Sequence, residues 1–175
     1  MDEVAEQRPT KQVIVIRRDL RMRRGKEIAQ GAHASMAWLA ERVLARMTPS
    51  GSVDQVKLSA AERAWLTSSF RKVTVKVGSE AELLAVYEKA LEARLVVHLV
   101  TDRGLTEFGG VPTRTCLGIG PDYDDLIDPV TGDLELYCLA VSERHGRANR
   151  NTVGTRVRRS GRRDRRAQGG DPHGW

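Results

Sequence analysis

The stretch VIVIRRDLRMRRGKEIAQGAHA, residues 13–34, decides the fold of this chain. Its first four residues are a continuous β-branched run, which predicts a central strand buried on both faces of a sheet. The remainder opens a helix expected to run from about residue 24 to about residue 47, with Pro49 just beyond its end. A buried strand that leads into a long helix favours an α/β domain.

The predicted helix carries two faces of different chemistry. At 3.6 residues per turn, Lys26, Gln30 and His33 share one polar stripe. Another side is apolar and is expected to pack on the sheet; it consists of Ile28, Ala32, Met36, Leu39 and Val43. This arrangement would leave an ammonium, an amide and an imidazole available to a ligand.

The rest of the chain alternates helical and strand patterns. Two possible capping boxes, Ser59 with Glu62 and Ser79 with Glu82, introduce the second and third helices. The remaining predicted elements are strands near 73–77, 95–100 and 115–119, a helical turn near 122–125, and a final strand or edge element near 134–138. This order predicts a three-layer α/β/α sandwich with a four-stranded mixed sheet.

One connection has a consequence for function. The loop of residues 103–112 contains no helix, so the strands on either side can be antiparallel neighbours only if the loop reverses the chain. Asp102 and Thr115 would then lie at the same sheet edge as the start of the Lys26 helix. Ligands of open α/β sheets favour this edge.

The composition divides the chain into an arm, a domain and a tail. We expect a flexible arm over residues 1–10, a domain over 11–141 with an inserted loop at 48–59, and a disordered Arg-rich tail over 142–175. The tail has ten arginines against three carboxylates, a net charge of +7. The whole chain carries +6, so residues 1–141 carry −1. The basic character therefore belongs to the tail.

Several classes of protein are disfavoured. Cys116 and Cys138 lie in apolar, strand-like runs, without a disulfide framework or zinc spacing. The stretch Arg23–Glu27 lacks the glycine spacing of a phosphate loop, and no serine or cysteine hydrolase spacing is present. No apolar run approaches the ~18 residues of a membrane helix. We therefore expect a cytoplasmic protein that uses no metal or cofactor and does not enter a membrane.

Single residues remain open to two interpretations. Lys26 in the first helical turn opposes the helix dipole, which favours a functional role over that of a solvated lysine. Asp102 could equally be a turn-starting aspartate that binds its own backbone. His98, within an apolar strand, is better explained as a structural residue than as a ligand.

Motifs along the chain resemble those of the type 2 peptidyl-tRNA hydrolase family over about residues 11–139. The motifs that carry the resemblance are 13–17, 19–20, 22, 25–26, 29–30, 33–34, the helix from 79 with 83–84 and 87, then 102, 104, 106, 117–121, 127–128, 131–132 and 134–136. The resemblance implies a four-stranded mixed sheet between helices, a homodimer, and hydrolysis of the ester that joins a peptide to the 3′ ribose of tRNA.

The resemblance also implies site residues. The family's lysine, helix glutamine, aspartate and first threonine correspond to Lys26, Gln30, Asp102 and Thr106. Its second threonine corresponds to Thr115. Arg103 and Glu107 depart from the family pattern, and the loop of 108–114 is about one residue longer, so Thr113 competes with Thr115.

An ester hydrolase needs an activated water and a group that stabilises the developing oxyanion. We expect Asp102 to position or deprotonate the water, Lys26 to stabilise negative charge, and the two threonines to orient water or ester. Substrate contacts are expected from six side chains: Gln30, His33, Arg18, Arg21, Arg23 and Arg24. Arg17 begins the same run of arginines before Lys26, for which the alternative interpretation is a solvated loop surface. The partner is then peptidyl-tRNA, to which the basic tail would add non-specific affinity. The alternative is a non-catalytic tRNA-binding or protein-interaction module on the same fold.

Overall fold

The computed structural model describes residues 8–68 and 70–137. Four strands and four helices follow one another along the described chain, with a short 3-10 turn at Phe108–Gly110. Their bounds are β1 Thr10–Arg17, α1 Arg24–Leu44, α2 Ala60–Thr67, β2 Lys72–Val77, α3 Glu80–Glu92, β3 Val97–Asp102, β4 Thr113–Tyr123 and α4 Asp124–Thr131. The predicted tail and the arm up to residue 7 lie outside the described residues.

The strands form one mixed sheet in the order β2-β1-β4-β3. β1 pairs in parallel with β2 and antiparallel with β4, and β3 is antiparallel to β4. Every residue of β1 is buried, because the strand is central and helices cover both of its faces. The prediction of a mixed four-stranded sheet with a doubly buried central strand is confirmed.

Alternation along β1 divides the apolar core into two layers. One face contributes Val13 and Val15 to a cluster with α3 and α4, whereas the other contributes Ile14 and Ile16 to a cluster with α1. On the α1 side, the rings of Trp38 and Trp65 meet edge to face at 6.2 Å, which joins α2 to α1. The result is the predicted three-layer sandwich.

The predicted packing face of α1 is wrong. Its buried residues are Gln30, Ala34 and Trp38, whereas Ile28 and Met36 are exposed. The cause is a close approach of helix and sheet: a Cβ at Gly118 would lie only 2.3 Å from the backbone oxygen of Ala34. Ala34 and the Gln30 amide are therefore buried against the sheet and Trp38 packs against Trp65 of α2, whereas Ile28 and Met36 remain exposed.

Two local predictions differ from the structure in part, namely the capping box of α3 and the last predicted element. Ser59 and Glu62 form a complete capping box, but at α3 the Glu82 carboxylate accepts from Gly78 N and only the Ser79 half of the box forms. The last described segment runs beside β2 without forming a strand of its own. It makes an isolated bridge between Leu136 and Val75, and Cys138 lies outside the described residues.

Candidate active site

Three chain segments meet at one edge of the sheet. β3 ends at Asp102, which pairs with Thr113 near the start of β4, and α1 begins a few residues after β1 ends at this edge. The antiparallel pairing predicted for β3 and β4 is confirmed. The edge brings together five side chains, here called the Lys26 cluster: Lys26, Gln30, Asp102, Thr106 and Thr115.

Lys26 and Asp102 form the centre of this cluster. Lys26 Nζ donates to Asp102 Oδ2 at 2.6 Å and to Thr106 Oγ1 at 3.1 Å. The two charged side chains are only 14% and 13% exposed, so water screens their attraction less than at an open surface. α1 starts at a residue that makes no side-chain cap. Its first turn also holds Lys26, a cation that the helix dipole disfavours and that Asp102 stabilises.

The Asp102 carboxylate is held by three donors. Besides Lys26, Gln30 Nε2 donates to Oδ2 at 2.9 Å and the Gly104 backbone N–H donates to Oδ1 at 2.8 Å. The hydrogen bond from Lys26, together with those from Gly104 and Gln30, lowers the pKa of Asp102 below its ordinary value. Asp102 is therefore an ionised, weakly basic carboxylate at neutral pH.

Behind Asp102, Gln30 links the cluster to the sheet. Thr115 Oγ1 donates to Gln30 Oε1 at 2.6 Å, and the Cys116 thiol donates to the Gln30 backbone oxygen at 3.3 Å. Thr115 is fully buried, whereas the hydroxyl of Thr113 donates to the nearby Val111 oxygen. Of the two competing threonines, Thr115 is the one that contacts the cluster.

The loop after β3 depends on a glycine. Gly104 has φ +78°, and a Cβ there would lie 2.4 Å from the Val111 oxygen. The Gly104 oxygen also accepts from Gly110 N at 2.9 Å, which closes the loop. This closure carries Thr106 back over Lys26.

Two open cavities meet at the Lys26 cluster. Their volumes are about 810 Å³ and about 560 Å³. Both are lined by the same five residues, namely Lys26, Gln30, His33, Asp102 and Thr106. His33, the third member of the predicted stripe, is exposed and lies on the cavity wall. The charged centre is therefore reachable from two sides.

The arginines before α1 do not form one equivalent surface. Arg23 lies beside the smaller cavity and donates to Glu107 Oε1 at 2.8 Å. Arg18 is held farther away by Glu27, at 3.3 Å, and by the hydroxyl of Tyr137, at 2.9 Å. Arg21 and Arg24 are exposed.

Arg17, which the sequence grouped with these surface arginines, is instead buried. Its guanidinium contacts Asp19 at 2.6 Å, Glu80 at 2.8 Å and the Arg114 backbone oxygen at 2.9 Å. The reason for the correction is that Arg17 still belongs to β1, whose residues are covered on both faces.

Two other side chains that can carry chemistry, Cys116 and His98, line neither of these cavities. Burial raises the pKa of the Cys116 thiol to about 11, so the thiol is a poor nucleophile. Burial also lowers the pKa of His98, which lies 3.3 Å from Glu41. Within residues 8–68 and 70–137, no group of three or more His, Cys, Asp or Glu side chains could hold a metal ion. In the same part of the chain, no helix combines the length and apolarity that crossing a membrane requires.

Sequence reasoning missed two features of this site. The first is the ion pair of Arg23 with Glu107, which no local spacing indicates because 84 positions separate the two residues. The second is the apolar wall of the larger cavity, to which Leu105 contributes. A large aliphatic residue directly before a predicted site threonine was the available signal.

Comparison with known proteins relates this geometry to one family. The family model described as "Peptidyl-tRNA hydrolase PTH2" matches residues 10–137. These residues include the whole Lys26 cluster.

Curated relatives agree with the family match. A protein named "Peptidyl-tRNA hydrolase" from Methanothermobacter thermautotrophicus is 41% identical over 126 residues, which cover 72% of this chain and 98% of the relative. One of the same name from Methanopyrus kandleri is 44% identical over 126 residues, covering 72% and 97%. Another, from Sulfurisphaera tokodaii, is 42% identical over 127 residues, covering 73% and 98%.

Proposed function

The chain belongs to the peptidyl-tRNA hydrolase PTH2 family, and we propose that it hydrolyses the ester joining a peptide to the 3′ ribose of tRNA. The products are a free peptide and a free tRNA. The observation that carries the proposal is the Lys26–Asp102 pair at the junction of two open cavities, in a chain of this family.

Lys26 is the proposed electrostatic stabiliser. Two of the three N–H donors of an ammonium are used by Asp102 and Thr106, which leaves one for a ligand in the cavity. An ester carbonyl oxygen held there would gain negative charge as water attacks, and the fixed cation stabilises that charge.

Asp102 is proposed to position the attacking water. A carboxylate has about four acceptor sites, and the three donors around Asp102 leave one on Oδ1. Its lowered pKa makes it a poor proton acceptor, which favours positioning over deprotonation among the two roles expected from the sequence.

The two threonines and Gln30 have supporting roles. Thr106 Oγ1 accepts from Lys26, so its own hydrogen is free to donate to the ester or to water. Thr115 reaches Asp102 only through Gln30, whose side-chain oxygen and nitrogen are both engaged. We therefore assign Gln30 and Thr115 as positioning residues, and His33 on the cavity wall as a substrate contact.

The RNA half of the substrate would meet the exposed arginines. Arg21, Arg23 and Arg24 are exposed, Arg23 lines the smaller cavity, and phosphate attraction is the main source of RNA affinity. Arg18 retains a 46% exposed side chain and can also contribute. A homodimer, a cytoplasmic location and RNA contact by the tail remain predictions. Deleting residues 142–175 should weaken tRNA binding and flatten its salt dependence, and an unchanged salt slope would remove the tail from the proposal.

The proposed function is tested by measuring turnover and binding on one substrate. Wild-type protein should release N-acetyl-aminoacid from N-acetyl-aminoacyl-tRNA, and Lys26→Ala and Asp102→Asn should reduce the rate at least about a hundredfold while tRNA binding persists. Lys76→Ala, which breaks the ion pair with the exposed Glu135, is the matched control and should keep the wild-type rate. Tight binding by the wild type without turnover would instead support the non-catalytic module.

A further inference from the structure

The two cavities that meet at the Lys26 cluster have different walls beyond their shared residues. The smaller one, here the polar groove, adds the charged side chains Arg23 and Glu107. The larger one, here the apolar groove, runs between α1, the end of β3 and the following loop. Its further lining is mainly aliphatic: Met36, Ala37, Ala40, Leu99, Val100 and Leu105.

The apolar groove presents large side chains to solvent from two separate elements. Leu105, from the loop, is 80% exposed, and Met36, from α1, is 53% exposed. Contiguous exposed apolar surface of this kind typically marks a binding site. The groove is continuous with Lys26 and Asp102, so an occupant would touch the proposed reacting centre.

We propose that the apolar groove holds the acyl side of the ester, with the side chain of the peptide's last residue against Met36 and Leu105. This inference rests on the proposed function and adds a substrate preference to it. An ester has two halves that leave the carbonyl in opposite directions. The ribose-phosphate half is anionic and fits the groove beside Arg23, which leaves the apolar groove for the acyl half.

The dimensions and the mainly aliphatic lining of the groove fit this assignment. Its volume of about 810 Å³ lies within the range of pockets that hold small organic ligands, which is about 300–1,000 Å³. Arg103 is a charged residue on its wall, and it departs from the family pattern. The mainly aliphatic lining should favour an apolar C-terminal side chain over an absent one through the apolar area that it buries.

The preference is measured with one tRNA body charged with different residues. We expect wild-type kcat/KM for N-acetyl-leucyl-tRNA to exceed that for N-acetyl-glycyl-tRNA about tenfold, the effect of burying about 50 Å² of apolar surface. Leu105→Asp and Met36→Asp should each reduce the preference, measured as the ratio of the two kcat/KM values, to about twofold or less. Leu91→Asp, at an exposed leucine of α3 on the other side of the sheet, is the matched control and should keep the wild-type preference.

Each other outcome overturns a specific claim. Equal rates on the two substrates in active wild-type protein would refute the groove assignment and leave the proposed function intact. No hydrolysis of either substrate would refute the proposed function itself. If Leu105→Asp and Met36→Asp lower the sedimentation coefficient from that of a dimer and leave the preference unchanged, the groove binds a second copy of the chain, and the assignment fails.

Discussion

Two paired cations lie at the same edge of the sheet, and their side chains are nearly equally buried. Lys26 pairs with Asp102 on the α1 side, and Arg17 pairs with Asp19 and Glu80 where β1 ends. The exposed fractions of the two cations are 14% and 9%. Burial and ion pairing alone therefore do not distinguish a cation of a functional site from one that only stabilises the fold.

The difference lies in access to the two cavities, which Lys26 lines and Arg17 does not. Four hydrogen bonds tie the Arg17 guanidinium to Asp19, Glu80 and the Arg114 oxygen. Lys26 makes two hydrogen bonds and lies on the walls of two cavities. A cation with a spare donor facing open space can bind a ligand, whereas one enclosed by its protein partners stabilises the fold.

The largest expected effect separates the two cations by activity. Lys26→Met should lower kcat about a hundredfold or more, because it removes a fixed charge beside the developing oxyanion. Arg17→Met should leave kcat per folded molecule within about twofold, since Arg17 contacts neither cavity. Single-turnover rates on N-acetyl-aminoacyl-tRNA, corrected for the folded fraction, measure both. Similar losses of kcat in the two variants would show that Lys26 and Arg17 do not differ in function.

The second prediction concerns stability. Arg17→Met should reduce the free energy of unfolding by about 2 kcal/mol, because it leaves two carboxylates and one carbonyl without their buried donor. Urea unfolding at pH 7 measures the change. Arg8→Met, which removes an ion pair at the exposed side chain of Asp125, is the control and should have little effect. A fully stable Arg17→Met protein would mean that the contacts of Arg17 are dispensable for stability.

The third prediction tests the chain of hydrogen bonds behind Asp102. Gln30→Leu and Thr115→Val should each lower kcat about fivefold or more, since loss of one orienting hydrogen bond is worth about 1 kcal/mol. KM should change little, because neither residue is proposed to contact the ester. Thr113→Val, whose hydroxyl only donates to Val111, is the matched control. An equal loss in Thr113→Val would overturn the assignment of Thr115.

The smallest effect is expected in the pH dependence of stability. Lys26 lowers the pKa of Asp102 below its ordinary value of 3.8, so the ionised carboxylate stabilises the fold. That contribution is complete above pH 3.8 and is lost as the pH falls through the lower pKa of the folded protein. The stability difference between wild type and Asp102→Asn should thus stay constant from about pH 8 to pH 5 and shrink only below about pH 4. A decline that begins near pH 6 would show that Asp102 is not held ionised as the geometry indicates.

Much of the fold was predictable because local patterns agree with it. The β-branched run around Val15 predicts a central strand, and the helix-free loop after Asp102 predicts the antiparallel return of β4. The same connection predicts that Asp102 and Thr115 meet the start of α1. The residues of the site were predicted as a group, and their catalytic roles remain proposals.

The face on which α1 packs was not predictable from its apolar pattern. Periodicity favours burying Ile28 and Met36, but the helix packs through Gln30, Ala34 and Trp38. What decides between the faces is the absence of a side chain at Gly118, 84 positions after Ala34, which lets the two backbones approach. Hydrophobic periodicity carries no information about such a distant partner.

The sequence by itself determined the order of strands and helices, the edge at which the polar residues gather and the family motifs that they compose. These follow from local preferences and from chain connectivity, which act between near neighbours. Only the tertiary structure decided that Gln30 is buried, that Arg17 is enclosed by its partners while Lys26 lines two cavities, and that an apolar groove opens beside Asp102. These properties depend on which atoms from distant segments come within a few ångströms of one another, and packing alone fixes that.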